Sequence, residues 1–316
     1  MCCLFGILDH SNALPYAAKK YILKVLSEEC EVRGTDATGI SYNSHGTMKI
    51  YKRPVEASKL RLRPSHDAKV IMGHTRMTTK GNERRNYNNH PFIGYAGGVT
   101  FSLAHNGVLY NDEMLRKAYG LPHTKIETDS YIAVQLIEDA GRLDMDSIQQ
   151  MAEAVHGTFC FTILDSRNEM YLVKGNNPLE MYDCGGYYIY ASTDEILQNI
   201  FKRLRITGQK LIELKARTIT QIHSDGSMEA RAFSMYDDME EYCFGSNYHF
   251  NFPEVSDDSQ IEQLMEYASF FGIDEEDILL LYDYGFDEAE IEELLYDPIA
   301  MQDIISEYRI FDRRMG

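Results

Sequence analysis

The residues best suited to chemistry begin at the amino terminus, in Met1-Cys2-Cys3-Leu4-Phe5-Gly6. A cysteine directly after the initiator methionine is small enough for Met1 to be trimmed away, which would make Cys2 the first residue. That residue would then carry both a thiol nucleophile and a free α-amine. Such an amine ionises near about 7.7–8.0 and a thiol near about 8.5, so both lie close to working pH. The amine can then serve as the base for its own side chain, with no separate histidine. The plainer alternative is that Cys2 is a small buried apolar residue, the common fate of free cysteine.

Four further segments carry candidate groups. Gly73-His74-Thr75-Arg76-Met77-Thr78-Thr79-Lys80-Gly81 ends a short strand. Its Arg76 can clamp a carboxylate through two parallel hydrogen bonds, or make a surface ion pair. Asn89-His90-Pro91 follows, where His90 reads first as a structural hydrogen-bonding residue. His105-Asn106-Gly107 reads either as a hairpin turn, the usual meaning of Asn-Gly, or as an oxyanion hole. In the second reading the Asn106 amide and an N–H left uncrowded by Gly107 point at one developing oxygen. Thr128-Asp129 precedes a helix, so Asp129 either caps it or receives a substrate ammonium.

The elements that must position these groups follow from periodicity and punctuation. The apolar run Cys2 to Leu8 predicts a buried first strand that holds the terminus rigid. Apolar Ala18, Ile22, Val25 and Leu26 predict a helix within Pro15–Val32. The glycines of Arg33-Gly34-Thr35-Asp36-Ala37-Thr38-Gly39 break it and feed strands at 40–43 and 48–52 across a Ser-His-Gly turn. Strands are expected at 69–72 and 99–104, opening into the Gly73–Gly81 loop and into His105-Asn106-Gly107. A helix at 131–140 and another from 144 lead to strands at 158–164, 170–173 and 187–191. A helix at 193–203 and strands near 210–214 and 217–223 complete the series. Many strands with a few long helices between them imply packed sheets covered by helices.

Taken in order, the motifs Met1-Cys2 with Phe5-Gly6, Arg33-Gly34-x-Asp36-x-x-Gly39, Gly73-His74-Thr75-Arg76, Asn89-His90-Pro91, His105-Asn106-Gly107 and Thr128-Asp129 resemble the class II glutamine amidotransferase domain. That domain occurs in glucosamine-6-phosphate synthase, amidophosphoribosyltransferase and asparagine synthetase. His156-Gly157-Thr158-Phe159 and Ala191-Ser192-Thr193-Asp194 are similar to the family's second half, so the resemblance runs from about residue 2 to 225. It implies an α+β fold, the four-layer αββα sandwich of N-terminal-nucleophile hydrolases. By the same resemblance Cys2 is the nucleophile, its α-amine the base, and Asn106 with the Gly107 N–H the oxyanion hole. Arg76 would hold the α-carboxylate of L-glutamine and Asp129 its α-ammonium, with Thr79 and His90 shaping the pocket wall. Glutamine would be hydrolysed through a Cys2 thioester and ammonia released. Cys3 departs from the usual glycine, Met77 from the usual aromatic, and Lys80 from the histidine of glucosamine-6-phosphate synthase.

The charge balance divides the chain. Of its 49 acidic and 31 basic residues, 23 acidic and three basic lie from Asp237 onward, leaving 26 acidic and 28 basic before it. A sheath of that sign repels nucleic-acid phosphates and anionic membranes, so neither is an expected partner. No apolar run reaches the roughly 18–20 residues a membrane span needs, and no secretory leader is evident. Six cysteines without CxxC spacing fit a reduced, cytoplasmic setting. HExxH, GxGxxG and GxxxxGK are all missing, so no metal and no cofactor is expected.

The domains expected are 2–236, a linker at 237–255 and an acidic all-α tail at 256–316. Within the tail Gly272-Ile273-Asp274-Glu275-Glu276-Asp277-Ile278 recurs as Gly285-Phe286-Asp287-Glu288-Ala289-Glu290-Ile291. Gly stops one helix, Asp caps the next, and Ile273 or Phe286 can staple to Ile278 or Ile291. Short helices are expected at about 256–271, 275–284, 288–296 and 299–310, faintly similar to ubiquitin-associated-like modules.

Nothing after residue 237 resembles a synthase domain, so the expected ammonia acceptor is a separate enzyme, which the tail would dock; a second copy of the chain is a further partner left open. Two other readings stand beside this one: a hydrolase of another amide on the same fold, and a binding or regulatory protein working through the tail. Retention of Cys2, Arg76, Asn106 and Asp129 together speaks against the last.

Overall fold

The structure is a computed structural model and describes residues 2–235 and 273–283, with the single residues 286, 291, 301, 304, 305 and 309. The chain divides into two compact units, Met1–Glu240 and Glu241–Gly316.

The first unit is built on two antiparallel sheets. One runs β11 (Lys210–Ile212), β9 (Glu180–Asp183), β10 (Tyr188–Ala191), β1 (Cys3–Leu8), β4 (Val70–Arg76), β2 (Ala37–Ser44) and β3 (Thr47–Arg53). The other runs β13 (Met228–Ala232), β12 (Thr218–Ile222), β8 (Met170–Lys174), β7 (Gly157–Asp165), β6 (Val99–Leu109) and β5 (Phe92–Ala96). The helices are α1 (Tyr16–Glu29), α2 (Asp112–Ala118), α3 (Tyr131–Asp139), α4 (Met145–Ala154) and α5 (Asp194–Leu204).

Strand alternation assigns the layers. On β1, Cys3, Phe5 and Ile7 pack with Leu23 and Leu26 of α1 and Leu197 and Ile200 of α5. Its alternate residues Leu4 and Leu8 pack with Ala104, Cys160 and Leu172 of the other sheet. Beyond that sheet, Phe101, Leu103 and Phe161 meet Ile132 and Ile137 of α3 and Ile148 of α4. The order is helix, sheet, sheet, helix, the αββα sandwich expected, with β1 in the middle of its sheet. Period-two alternation therefore decides which side chains enter the inter-sheet layer.

Several elements differ from expectation. β4 continues through Gly73-His74-Thr75 to Arg76, so the loop begins only at Met77. The aromatic ring of Phe5 lies where a Cβ at Gly73 would be, 2.1 Å away, and the small residue lets the strand pass. β6 likewise runs straight through Asn106-Gly107, so no hairpin turn forms there. Neither Thr128 nor Asp129 caps α3: Ser130 occupies that position without a side-chain bond. α4 does carry a full capping box between Asp144 and Ser147.

In the second unit α6 (Glu275–Asp283) lies within the helix expected at 275–284. Ile273, Ile278, Leu281, Ile291, Met301 and Ile305 share one core, with Phe286 packed against it. Ile278 and Ile291 are equivalent positions of the repeat, as are Ile273 and Phe286, so both copies feed the same core. Asp277 pairs with Arg309 at 2.5 Å. The helix expected at 256–271 lies outside the described residues, as does most of those at 288–296 and 299–310.

Candidate active site

Antiparallel pairing of β1 with β4 sets Cys3 opposite Thr75 and Leu4 opposite His74. One step further along the ladder brings Cys2 to the level of Arg76. Cys2, Leu4, His74 and Arg76 share the parity that faces the second sheet. From that sheet Ala104 and Asn106 share the inward parity of β6. The candidates from 70 to 107 thus converge on one end of the inter-sheet layer.

Cys2 is half-buried. Its Sγ accepts the Met77 N–H at 3.4 Å and reaches the Met77 carbonyl at the same distance. The Arg33 Nε donates to the Cys2 carbonyl at 2.9 Å. Burial pushes the Cys2 thiol up from its ordinary value, and the Met77 N–H opposes that rise. The positive charge of Arg76 and the negative charge of Asp129 both act on this sulfur.

Arg76 is buried, and its guanidinium is fully occupied on one side. Nη1 donates to Asn89 Oδ1 at 2.7 Å, and Nη2 to the Lys80 carbonyl at 2.5 Å and Thr128 Oγ1 at 3.4 Å. Asn89 Nδ2 is held by the Glu83 carbonyl at 2.7 Å and Thr128 Oγ1 by the Asn88 carbonyl at 2.8 Å. A buried cation so braced is preorganised to bind an anion in the remaining directions.

Asn106 is wholly buried, yet neither its Oδ1 nor its Nδ2 meets a hydrogen-bond partner among the described residues. Its own carbonyl is fixed by Asn177 Nδ2 at 2.8 Å. Buried amides are normally satisfied, so an orphaned one is a feature to explain. Gly107 has φ +146°, and a Cβ there would stand 1.8 Å from the Thr158 carbonyl oxygen. Only glycine lets β6 and β7 approach so closely at that point.

Asp129 is buried beside them. Oδ2 accepts the Leu109 N–H at 2.7 Å, while Oδ1 has only a long bond from Ser130 Oγ at 3.4 Å. Ser130 Oγ in turn lies 2.7 Å from His105 Nδ1. One carboxylate oxygen is anchored and the other is nearly free.

His90 is buried, its ring tilted against His74 at 4.2 Å and edge-on to Phe92 at 4.4 Å, with both ring nitrogens unpartnered among the described residues. Burial drives its pKa well below the ordinary range, drives His74 down to about 3 and His105 to about 4. Three neutral imidazoles therefore line this region at pH 7. Thr79 stands exposed in the loop after Met77, apart from the buried cluster.

The Arg33–Gly39 motif, left without a role above, grips the same turn. The Asp36 N–H donates to the Arg76 carbonyl at 2.9 Å, and Asp36 Oδ2 accepts the Thr78 N–H at 2.7 Å. A Cβ at Gly34 would stand 2.5 Å from the Arg76 carbonyl carbon. Arg33, Asp36 and Asn89 lay in motifs already singled out but were given no supporting role; Ser130 was missed, its only signal being adjacency to Asp129.

Among the described residues no group of three His, Cys, Asp or Glu could hold a metal ion. No helix among them is long and apolar enough to cross a membrane. Two surface depressions, about 280 Å³ beside Asp146 and Glu153 and about 360 Å³ beside Arg116 and Leu121, contain none of the candidate residues.

Three comparisons bear on this geometry. A family model described as a glutamine amidotransferase domain matches residues 74–199. The glutamine–fructose-6-phosphate aminotransferase (isomerizing) of Staphylococcus epidermidis is 29% identical over 242 residues, covering 73% of this chain and 39% of that protein. Its counterpart in Bacillus cereus is 29% identical over 231 residues, covering 68% and 37%. The chain thus spans about two-fifths of the length of these curated relatives. Among solved structures, the glutamine phosphoribosylpyrophosphate amidotransferase of B. subtilis, complexed with ADP and GMP, superposes with a TM-score of 0.58 at 21% identity. That match covers 74% of this chain and 49% of the other and speaks for the fold.

Proposed function

We propose that this chain carries a class II glutamine amidotransferase domain of the N-terminal-nucleophile type, which hydrolyses the side-chain amide of L-glutamine and hands the ammonia to a separate acceptor enzyme. The observation that carries the reading is the orphaned Asn106 amide, buried in the same inter-sheet layer as Cys2 and Arg76, with the Asp129 charge acting on the Cys2 sulfur. A site with a thiol, a braced cation and a half-free carboxylate matches a zwitterion with a reactive amide.

In the proposed cycle Met1 has been removed. Glutamine docks with its α-carboxylate on Arg76 and its α-ammonium on Asp129, and Thr79 and His90 shape the wall. The raised thiol of Cys2 needs a base, and burial leaves His74, His90 and His105 poor ones. The Cys2 α-amine takes the proton, directly or through one water. The sulfur attacks the amide carbon, and the C=O pair moves to an oxyanion held by Asn106 Nδ2 and the Gly107 N–H. As the oxyanion collapses, the C–N bond breaks and the nitrogen takes the proton back from the α-ammonium, leaving as ammonia. Water then attacks the thioester with the amine again as base, and glutamate leaves as the Cys2–acyl bond breaks.

Within this reading residues 2–236 form the amidotransferase domain and 237–255 a linker. The acidic tail 256–316 docks the acceptor. Intact-mass spectrometry of the purified protein, with glutamate release measured beside Cys2→Ala, is the test. We expect a mass lacking Met1, turnover of glutamine, and loss of turnover in the variant. A retained methionine together with no turnover would sink the proposal.

A further inference from the structure

We propose that Lys80 and Asp112 form a latch that holds the 77–81 loop in its glutamine-binding position, and that both are positioning residues acting through Arg76. This rests on the glutaminase reading for its substrate, but the latch itself stands on geometry.

Lys80 is bound twice over. Its carbonyl accepts Arg76 Nη2 at 2.5 Å, so the position of its main chain decides how the guanidinium is braced. Its ammonium meets both oxygens of Asp112, at 2.9 and 3.0 Å. Asp112 is the first residue of α2, which follows β6 of the second sheet, whereas Lys80 follows β4 of the first. The ion pair therefore ties together the two sheets that contribute Arg76 and Asn106.

The burial is unequal, and that asymmetry separates this pair from an ordinary surface contact. The Lys80 side chain is 42% exposed but that of Asp112 is only 5% exposed. Exposed pairs are worth little because water satisfies each partner once they separate. A carboxylate kept from water has no such recourse and holds its cation. Near the amino end of the loop the Met77 N–H is on Cys2 Sγ and the Thr78 N–H on Asp36. Lys80 supplies the fixation at the carboxyl end. With both ends tied, the segment bearing Thr79 is set before substrate arrives, and less ordering remains to be done on binding.

Hydrogen exchange at the amides of 77–81 tests the latch whether or not the protein turns over glutamine. In Lys80→Met and in Asp112→Asn these amides should exchange about tenfold faster, with the β1 and β4 amides unchanged, as for a local opening. The double variant should add nothing, because the two residues act as one unit. Glutamine KM should rise about tenfold in each single variant with kcat within about twofold, the pattern of lost uniform binding. Lys80→Arg should restore both. Exchange at 77–81 that ignores the loss of the pair overturns the latch, as does a fall in kcat at constant KM. Should the parent protein prove inactive while exchange responds as expected, the latch stands and the glutaminase reading falls.

Discussion

Replacing Asn106 by leucine separates what the side chain does for the fold from what it does for the reaction. In the resting protein the amide is wholly buried and neither polar atom is paired among the described residues. A buried polar group in that state costs about 1–3 kcal/mol in desolvation that nothing returns. Leucine has a similar volume and no polar atoms. The main-chain bond from Asn177 to the residue-106 carbonyl and the strand pairing with Cys160 do not involve the side chain. Asn106→Leu should therefore raise unfolding free energy by about 1–3 kcal/mol while removing one oxyanion donor, a loss of about 10²–10³ in kcat. Urea unfolding followed by circular dichroism, at unchanged slope, reads the first quantity; glutamate release under saturating glutamine reads the second. Destabilisation by more than about 2 kcal/mol would show that the amide has a structural duty, since breaking a satisfied buried bond costs that much. A kcat within tenfold of the parent would refute the oxyanion assignment.

Other outcomes follow from the same geometry. Arg76→Lys keeps the charge but loses the fork that reaches Asn89 and Lys80, so glutamine KM should rise about 10- to 100-fold with kcat little changed in steady-state assays. Gly107→Ala puts a methyl 1.8 Å from the Thr158 oxygen at φ +146°, and should cost at least about 3 kcal/mol in urea or leave the protein insoluble. The buried histidines set an acid limit. Their folded pKa values lie below the unfolded value, so the unfolded chain takes up protons first as pH falls. Stability is full above about pH 6.5 and drains below it, by up to about 1.4 kcal/mol per pH unit for each histidine. For His74 the window runs down to about 3 and for His105 to about 4. Urea midpoints at pH 7, 6 and 5 check this, and a flat profile would contradict it.

The site was legible in the sequence to the extent that its residues occupy short, ordered motifs. Cys2, Arg76, Asn106, Gly107 and Asp129 were chosen from such motifs, and the fold brings their strands to one end of the inter-sheet layer. What could not be read was which of two local meanings applied. Asn106-Gly107 has the composition of a hairpin turn, yet β7 pairs with β6 from Phe101 through Leu109 and holds it straight. Asp129 has the type and place of a helix cap, yet Oδ2 is taken by the Leu109 N–H of a strand 20 residues earlier. In both cases a long-range partner overrode a local preference. Thr79, read as pocket wall, stands exposed in a loop whose Met77 N–H meets Cys2 Sγ and whose Lys80 carbonyl accepts Arg76 Nη2.

The same logic explains which elements escaped the sequence. β1, most of β7 and the first parts of β4 and β6 carry apolar or small residues because both their faces are covered, and each was visible as a run, whereas the polar ends His74–Arg76 and His105–Asn106 were not read as strand. β5 and β13 lie at sheet edges, where alternate positions such as Ile93, Tyr95 and Arg231 face outward and dilute the signal. Arg76 and Asn106 come from the inner strands β4 and β6, whereas Asp129 comes from the segment before α3 and His90 from the one before the edge strand β5. The residue before the middle strand of a seven-stranded sheet has little room to fray, because Cys3 pairs with Thr75 of β4 and Leu4 is bonded to Ser192 on the other side. β10 and β4 flank β1, the Ser192 Oγ and N–H close on Leu4 at 2.9 and 3.0 Å, and the Arg33 Nε holds the Cys2 carbonyl at 2.9 Å, so Cys2 is placed by a strand fixed from both sides.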